Sequence, residues 1–241
     1  MNFDINFLIV FLLIFFITMS LVDYFLLSLK KLKKPIDLNR SSGEYNLFFF
    51  RYKSYFICLF SFFICRNFVF NNFFIPSSSM YPNLLKNSVV FVDRFSYGIK
   101  NPINNNIWIE ISDPKRGDIL VFHYPVNRSI YFVKRLIGLP GDHISYKNGQ
   151  LSINSKFIPT YDCEEFSKES KDIICKESLN GKEYRINNSN TDKNIDFGSI
   201  EIPEDSYFVM GDNRGNSYDS RYWGFVNKSH VIGKVRFHWF R

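Results

Sequence analysis

The stretch Ile130-Tyr131-Phe132-Val133-Lys134-Arg135-Leu136-Ile137-Gly138-Leu139-Pro140-Gly141-Asp142 decides the fold. Its apolar residues run without helical spacing and stop at a Leu-Pro-Gly-Asp turn, which is the mark of a strand. In a strand, Ile130, Phe132, Lys134 and Leu136 share one face. Lys134 then stands among apolar neighbours, where burial disfavours the ammonium and lowers its pKa. Neutral near physiological pH, such an amine can serve as a general base. The alternative is a Lys on an edge strand whose amine reaches out to water.

The residues around this strand repeat its pattern. Val89–Val92, Ile119–Phe122, Leu151–Ile153, Tyr207–Met210 and Val231–Trp239 are short apolar runs bounded by Gly, Pro, Asn and Asp. In the last run, Val231, Val235, Phe237 and Trp239 are expected on one face, with Lys234, Arg236 and His238 on the other. Lys147-Asn148-Gly149-Gln150 and Gly211-Asp212-Asn213 carry turn chemistry. The reading is a mainly β domain over 76–149 and 201–241. Residues 150–200, rich in Lys, Glu, Asn, Ser and Asp with few apolar anchors, read as an inserted subdomain. There Cys163 and Cys175 could pair in an oxidising compartment, or stay free thiols.

The N-terminal third differs. Residues 5–22 contain no charge, and apolar character resumes after Asp23 through Leu29. That approaches the roughly 20 residues that span a bilayer. There is no basic n-region and no Ala-x-Ala, so a cleaved leader fits poorly. Residues 1–29 are read as a first transmembrane helix. Residues 54–75, apolar but broken by Arg66, Asn67, Asn71 and Asn72, are read as a second. Of the net charge of +7, +5 falls in 30–53. A basic loop between two apolar segments reports membrane orientation rather than a nucleic-acid footprint, and sets 30–53 in the cytoplasm. The chain has no Ala and is rich in Asn, Lys, Ile and 28 Phe, as AT-rich codon usage would produce.

Two further stretches are chemically unusual. Ile75-Pro76-Ser77-Ser78-Ser79-Met80-Tyr81-Pro82 sets hydroxyls between two prolines, either as a polar linker or as a nucleophile on a stiff turn. Gly211-Asp212-Asn213-Arg214-Gly215-Asn216-Ser217-Tyr218-Asp219-Ser220-Arg221 could be a long self-capped turn. It fails the EF-hand template, and no His lies in a metal-spacing pattern.

Taken together, these stretches resemble bacterial signal peptidase I, a Ser/Lys-dyad serine protease family. Pro76–Leu84 is similar to its serine box, Arg116-Gly117-Asp118-Ile119 to a second box, Lys134–Asp142 to its lysine box, and Gly211–Arg221 to a fourth. Ser78 stands where the family has Gly, Asn83 where Thr is common, and Gly215 where Asp is frequent. The resemblance implies a signal peptidase-like β fold with a small inserted subdomain, preceded by two transmembrane helices. It implies Ser79 as nucleophile, Lys134 as general base, and an oxyanion hole from the Ser77 hydroxyl and the Ser79 backbone amide. It further implies that Ser217 orients the amine, that Asp219 pairs with Arg221 and Asp212 with Arg135, and that Tyr131 lies close to the dyad. No metal and no organic cofactor are implied. The expected partners are signal peptides of exported preproteins, cut after small residues as in Ala-x-Ala, and the lipid bilayer; no nucleic acid is expected, and a monomer is. The expected location is the inner membrane with the catalytic domain in the periplasm. The rival readings are a self-cleaving repressor-type Ser/Lys peptidase, a non-enzymatic membrane subunit with a decayed site, and a Ser-His peptidase of the endoplasmic-reticulum type.

Overall fold

The computed structural model describes residues 14, 55, 57–61, 70–100, 107–167, 172–189 and 196–239. The chain divides into two compact units, Met1–Asn67 and Phe68–Arg241. In the first, the described residues are helical. The first expected span, 1–29, lies almost wholly outside the described residues, as does the loop 30–53. Among the described residues no helix is long and apolar enough to cross a membrane.

The second unit is mainly β. Its strands are β1 (Phe70–Ile75), β2 (Ser88–Asp93), β3 (Gly98–Lys100), β4 (Ile107–Glu110), β5 (Ile119–His123), β6 (Tyr131–Gly138), β7 (His143–Lys147) and β8 (Gln150–Ile153). They continue as β9 (Lys156–Phe157), β10 (Thr160–Ser167), β11 (Asp172–Leu179), β12 (Lys182–Asn187), β13 (Phe197–Glu201), β14 (Ser206–Met210), β15 (Val226–Asn227) and β16 (Val231–Trp239). The main sheet has the order β1-β2-β16-β5-β6-β14-β15. A second sheet runs β13-β7-β8-β9, and a third β10-β11-β12.

The end of the expected second transmembrane helix is instead β1. Its six residues pair antiparallel with β2 in unbroken register, Phe70 opposite Asp93 and Ile75 opposite Ser88. Burial alternates along it: Phe73 and Ile75 pack inward while Phe74 is exposed. A period of two satisfies these residues as a strand, and the neighbouring strand meets their backbone hydrogen bonds.

Strand β6 lies between β5 and β14, and Lys134 is buried within it rather than reaching out to water. Both faces of β6 are covered. Leu136 joins a cluster with Leu120, Phe122, Val209 and Val226, while Val133 packs against Met80, Leu84, Val90 and Val121. Gly117 N–H donates to the Leu136 carbonyl and Leu136 N–H to the Asp118 carbonyl, both at 2.8 Å, extending the β5–β6 ladder. Asp118 is itself a buried hub, accepting from the Tyr97 hydroxyl, Lys182 and Lys234.

Two expectations change. Bulges in β16, between Val231 and Gly233 and between Val235 and Phe237, break its simple alternation. Val231 therefore packs in the Leu120 cluster, Val235 packs with its neighbour Ile232 in the Met80 cluster, and Phe237 is exposed. The 150–200 stretch also carries more apolar anchors than its composition suggests. Leu151, Ile153, Cys175, Leu179, Tyr184 and Ile186 join Ile137, Ile144, Phe208 and Met210 in one core. They come from alternate positions of polar-looking strands, so a window average hides them. Cys163 and Cys175 form a disulfide between β10 and β11.

Candidate active site

The turn after β1 delivers Ser79. Met80 and Leu84 are fully buried beside Ile75 and Val90, each worth about 1.5–3 kcal/mol of apolar burial. They anchor a compact turn, closed by Tyr81 N–H to the Ser78 carbonyl at 3.1 Å and Leu84 N–H to Met80 at 2.9 Å. Ser79 is buried, and Ser77 two residues earlier remains exposed.

Lys134 comes from the middle of β6. Its Nζ donates to Ser79 Oγ at 2.5 Å, and Ser79 Oγ lies 3.2 Å from Ser77 Oγ. Lys134 is 4% exposed and its amine sits 5.5 Å from the Phe132 ring. Loss of hydration drives its pKa down to about 8; Asp219 and Asp212 push the other way, and Arg221 adds to the lowering. An amine in that range is a competent base at mildly alkaline pH.

The loop after β14 closes the site. Asn213 N–H donates to the Ser79 carbonyl at 3.0 Å, and Asn213 Nδ2 to the Ser78 carbonyl at 3.1 Å. Asn216 Nδ2 reaches Ser78 Oγ at 3.4 Å, a contact open to this chain because Ser replaces Gly there. Asp219 caps the short helix Ser220–Trp223 and accepts from Gly211 N–H at 2.9 Å. Arg221 forks Asp219 at 2.8 and 3.0 Å. Burial pushes the Asp219 carboxyl up, but hydrogen bonding and charge from Arg221 outweigh it and hold the pKa below the ordinary carboxylate value. Arg135, on the opposite face of β6, forks Asp212 with two bonds of 2.7 Å.

Most of the expected residues thus converge: Ser77, Ser79, Lys134, Asp219 and Arg221 on one side, Arg135 and Asp212 behind them. One differs in detail. Tyr131 is half exposed and packs against Phe73 and His123, and Phe132 is an aromatic beside Lys134. Ser217 is buried next to Gly211, but its Oγ makes no hydrogen bond, to Lys134 or to any other described residue. Sequence reasoning passed over Asn213, which holds the Ser79 carbonyl. Its only signal was its place in the Gly-Asp-Asn triplet.

The family profile described as "Signal peptidase, peptidase S26" matches residues 50–240. The chain belongs to the signal peptidase family. This peptidase is 39% identical over 233 residues to a signal peptidase I of Buchnera aphidicola subsp. Baizongia pistaciae, covering 78% of this chain and 75% of the relative. It is 36% identical over 197 residues to a signal peptidase I of Pseudomonas fluorescens, covering 76% and 69%. A Bacillus subtilis subsp. natto relative, signal peptidase I P, is 37% identical over 182 residues, covering 75% and 83%. A solved signal peptidase I structure from Enterococcus faecalis V583 is 32% identical with a TM-score of 0.35, covering 53% of this chain and all of that one. The peptidase is a serine endopeptidase, a hydrolase of peptide bonds.

Proposed function

We propose that this peptidase removes N-terminal signal peptides from exported preproteins, with Ser79 as nucleophile and Lys134 as general base. The observation that carries the reading is the Lys134 Nζ to Ser79 Oγ hydrogen bond at 2.5 Å inside an apolar strand. Neutral Lys134 takes the Ser79 proton as the oxygen attacks the scissile carbonyl. The developing oxyanion is received by the Ser79 backbone amide and the Ser77 hydroxyl; one such donor is typically worth about 10²–10³ in rate. The ammonium then protonates the leaving amine, and water deprotonated by the same amine hydrolyses the acyl-enzyme.

The chain is anchored in the inner membrane through its apolar N-terminal segments, with the basic segment 30–53 in the cytoplasm and the β unit in the periplasm. The charge asymmetry of the sequence supports this orientation. The bilayer then concentrates the substrate, whose own apolar segment shares it. Incubating a labelled preprotein with the detergent-solubilised full chain tests the activity. A cleaved leader supports it, and an intact preprotein with a folded enzyme overturns it. Recovery in the supernatant after carbonate extraction would overturn the anchorage.

A further inference from the structure

Strand β11 carries a charge where its pattern asks for an apolar side chain. Cys175, Glu177 and Leu179 occupy successive inward positions, and Glu177 is fully buried between the other two. Its partner is Arg214, 2% exposed, whose Nη2 donates to Glu177 Oε1 at 2.6 Å. The Tyr184 hydroxyl, from the paired strand β12, donates to the same oxygen. Stripping both ions of water is costly, so such a pair is poor evidence for stability and is better read by what it connects.

Arg214 opens the turn between Asn213 and Ser217. Its carbonyl accepts Arg221 Nη2 at 2.8 Å, Arg221 holds Asp219, and Asp219 holds Gly211. The β11–β12 hairpin grips the other end of this loop as well. Asn187 N–H donates to the Asp212 carbonyl at 2.9 Å. Asn83 Nδ2 donates both to the Arg185 carbonyl at 2.6 Å and to Asp212 Oδ2 at 2.7 Å, and the Tyr184 ring lies 3.9 Å from the Arg135 guanidinium. A single Thr hydroxyl could not make both Asn83 contacts, since it has one hydrogen to give.

We propose that Glu177 is a positioning residue for the Ser79–Lys134 site. From the inserted hairpin it neutralises and pins Arg214, and so holds the 211–221 loop that sets the charges around the amine. This rests on the dyad reading above. The charged groups acting on Lys134 are Asp219, Asp212 and Arg221. Those around the Glu177–Arg214 pair are Tyr184, Arg135, Arg221 and Tyr146.

The test compares the full chain, Glu177→Gln, and the double variant Glu177→Gln/Arg214→Gln, measuring kcat and KM for a labelled preprotein across pH together with melting temperature. Glu177→Gln leaves an uncompensated guanidinium near the site, so the acid limb should move to lower pH. Its kcat should fall about tenfold or more while KM changes less than about twofold, as expected for misplacement of reacting groups. In the double variant the net charge is restored, so the acid limb should return to its original position while kcat stays about tenfold down, because the pin is gone. A purely structural pair would lower the melting temperature of the single variant and move neither kcat nor the acid limb; that result, or a double variant with unchanged kcat, overturns the proposal. Should Glu177→Gln not fold, the double variant, which leaves neither charge of this pair buried, decides. If the unmodified chain cleaves nothing, the dyad reading fails instead.

Discussion

A Cβ added to Gly211 would lie 2.5 Å from the backbone carbonyl oxygen of Ser79 and at a similar clash distance from Ser217. The loop after β14 therefore touches the nucleophile's own peptide unit, and only glycine permits that approach.

Gly211→Ala should push Ser79 and Ser217 away from Lys134 together. The backbone atom cannot yield as a flexible side chain would, so overpacking should cost about 1–3 kcal/mol. For a chain of this size that is about 2–4 °C of melting temperature per kcal/mol. Activity should fall further than stability, by on the order of 10²-fold. Thermal melts beside preprotein cleavage rates measure both, and an active Gly211→Ala enzyme would contradict the geometry.

Ser79→Ala and Lys134→Met should each abolish cleavage, with losses on the order of 10³-fold or more, because the two groups act as a unit. Their stabilities should part company. Lys134 is buried and its ammonium is disfavoured there. Lys134→Met should therefore melt at or above the parent temperature at neutral pH, whereas Ser79→Ala should change it little. A strongly destabilised Lys134→Met protein would show that the amine holds the fold together.

Cleavage should rise with pH through about 8, where Lys134 loses its proton. Stability should follow in the same direction. The unfolded amine titrates near the ordinary 10.5, above its folded value. Between the two the unfolded chain binds more protons, so unfolding becomes less favourable as pH rises from about 8 towards 10.5. Below that window the burial cost is present in full. Rate–pH profiles on folded enzyme check the first statement, and a rate independent of pH well below neutrality would refute it.

Asp212→Asn should strand the Arg135 guanidinium, at about 3–5 kcal/mol for a broken buried pair. Asp212 also raises the Lys134 pKa, so its loss should lower the midpoint of the acid limb. Denaturant titration and the rate–pH profile report the two effects separately. An unshifted midpoint would mean that Asp212 does not act on the amine.

Six strands were legible where a run of apolar side chains met a turn residue. Val89–Val92 lies within β2, Ile119–Phe122 within β5, Leu151–Ile153 within β8 and Tyr207–Met210 within β14. The Lys147–Gln150 turn joins β7 to β8 with Asn148 and Gly149 at positive φ, as its composition suggests. Lys134 was legible as a cation on an apolar strand face. Glu177 offered the same signal, an inward charge between Cys175 and Leu179, but its partner lies 37 positions away and has no local trace. Nor did period-two counting find the β16 bulges, because a bulge depends on what the neighbouring strands require.

By itself the sequence settled the strands built on a clear apolar run, the place of Lys134 on an apolar face, and the four boxes that mark the family. Those properties are local, fixed by alternation, turn chemistry and residue type. The tertiary structure decided that Lys134 is buried against Ser79, that Phe132 flanks the amine, and that the β11–β12 hairpin grips the loop carrying Asp219. Each of these depends on strand order and on contacts between residues far apart in the chain, which local pattern does not encode.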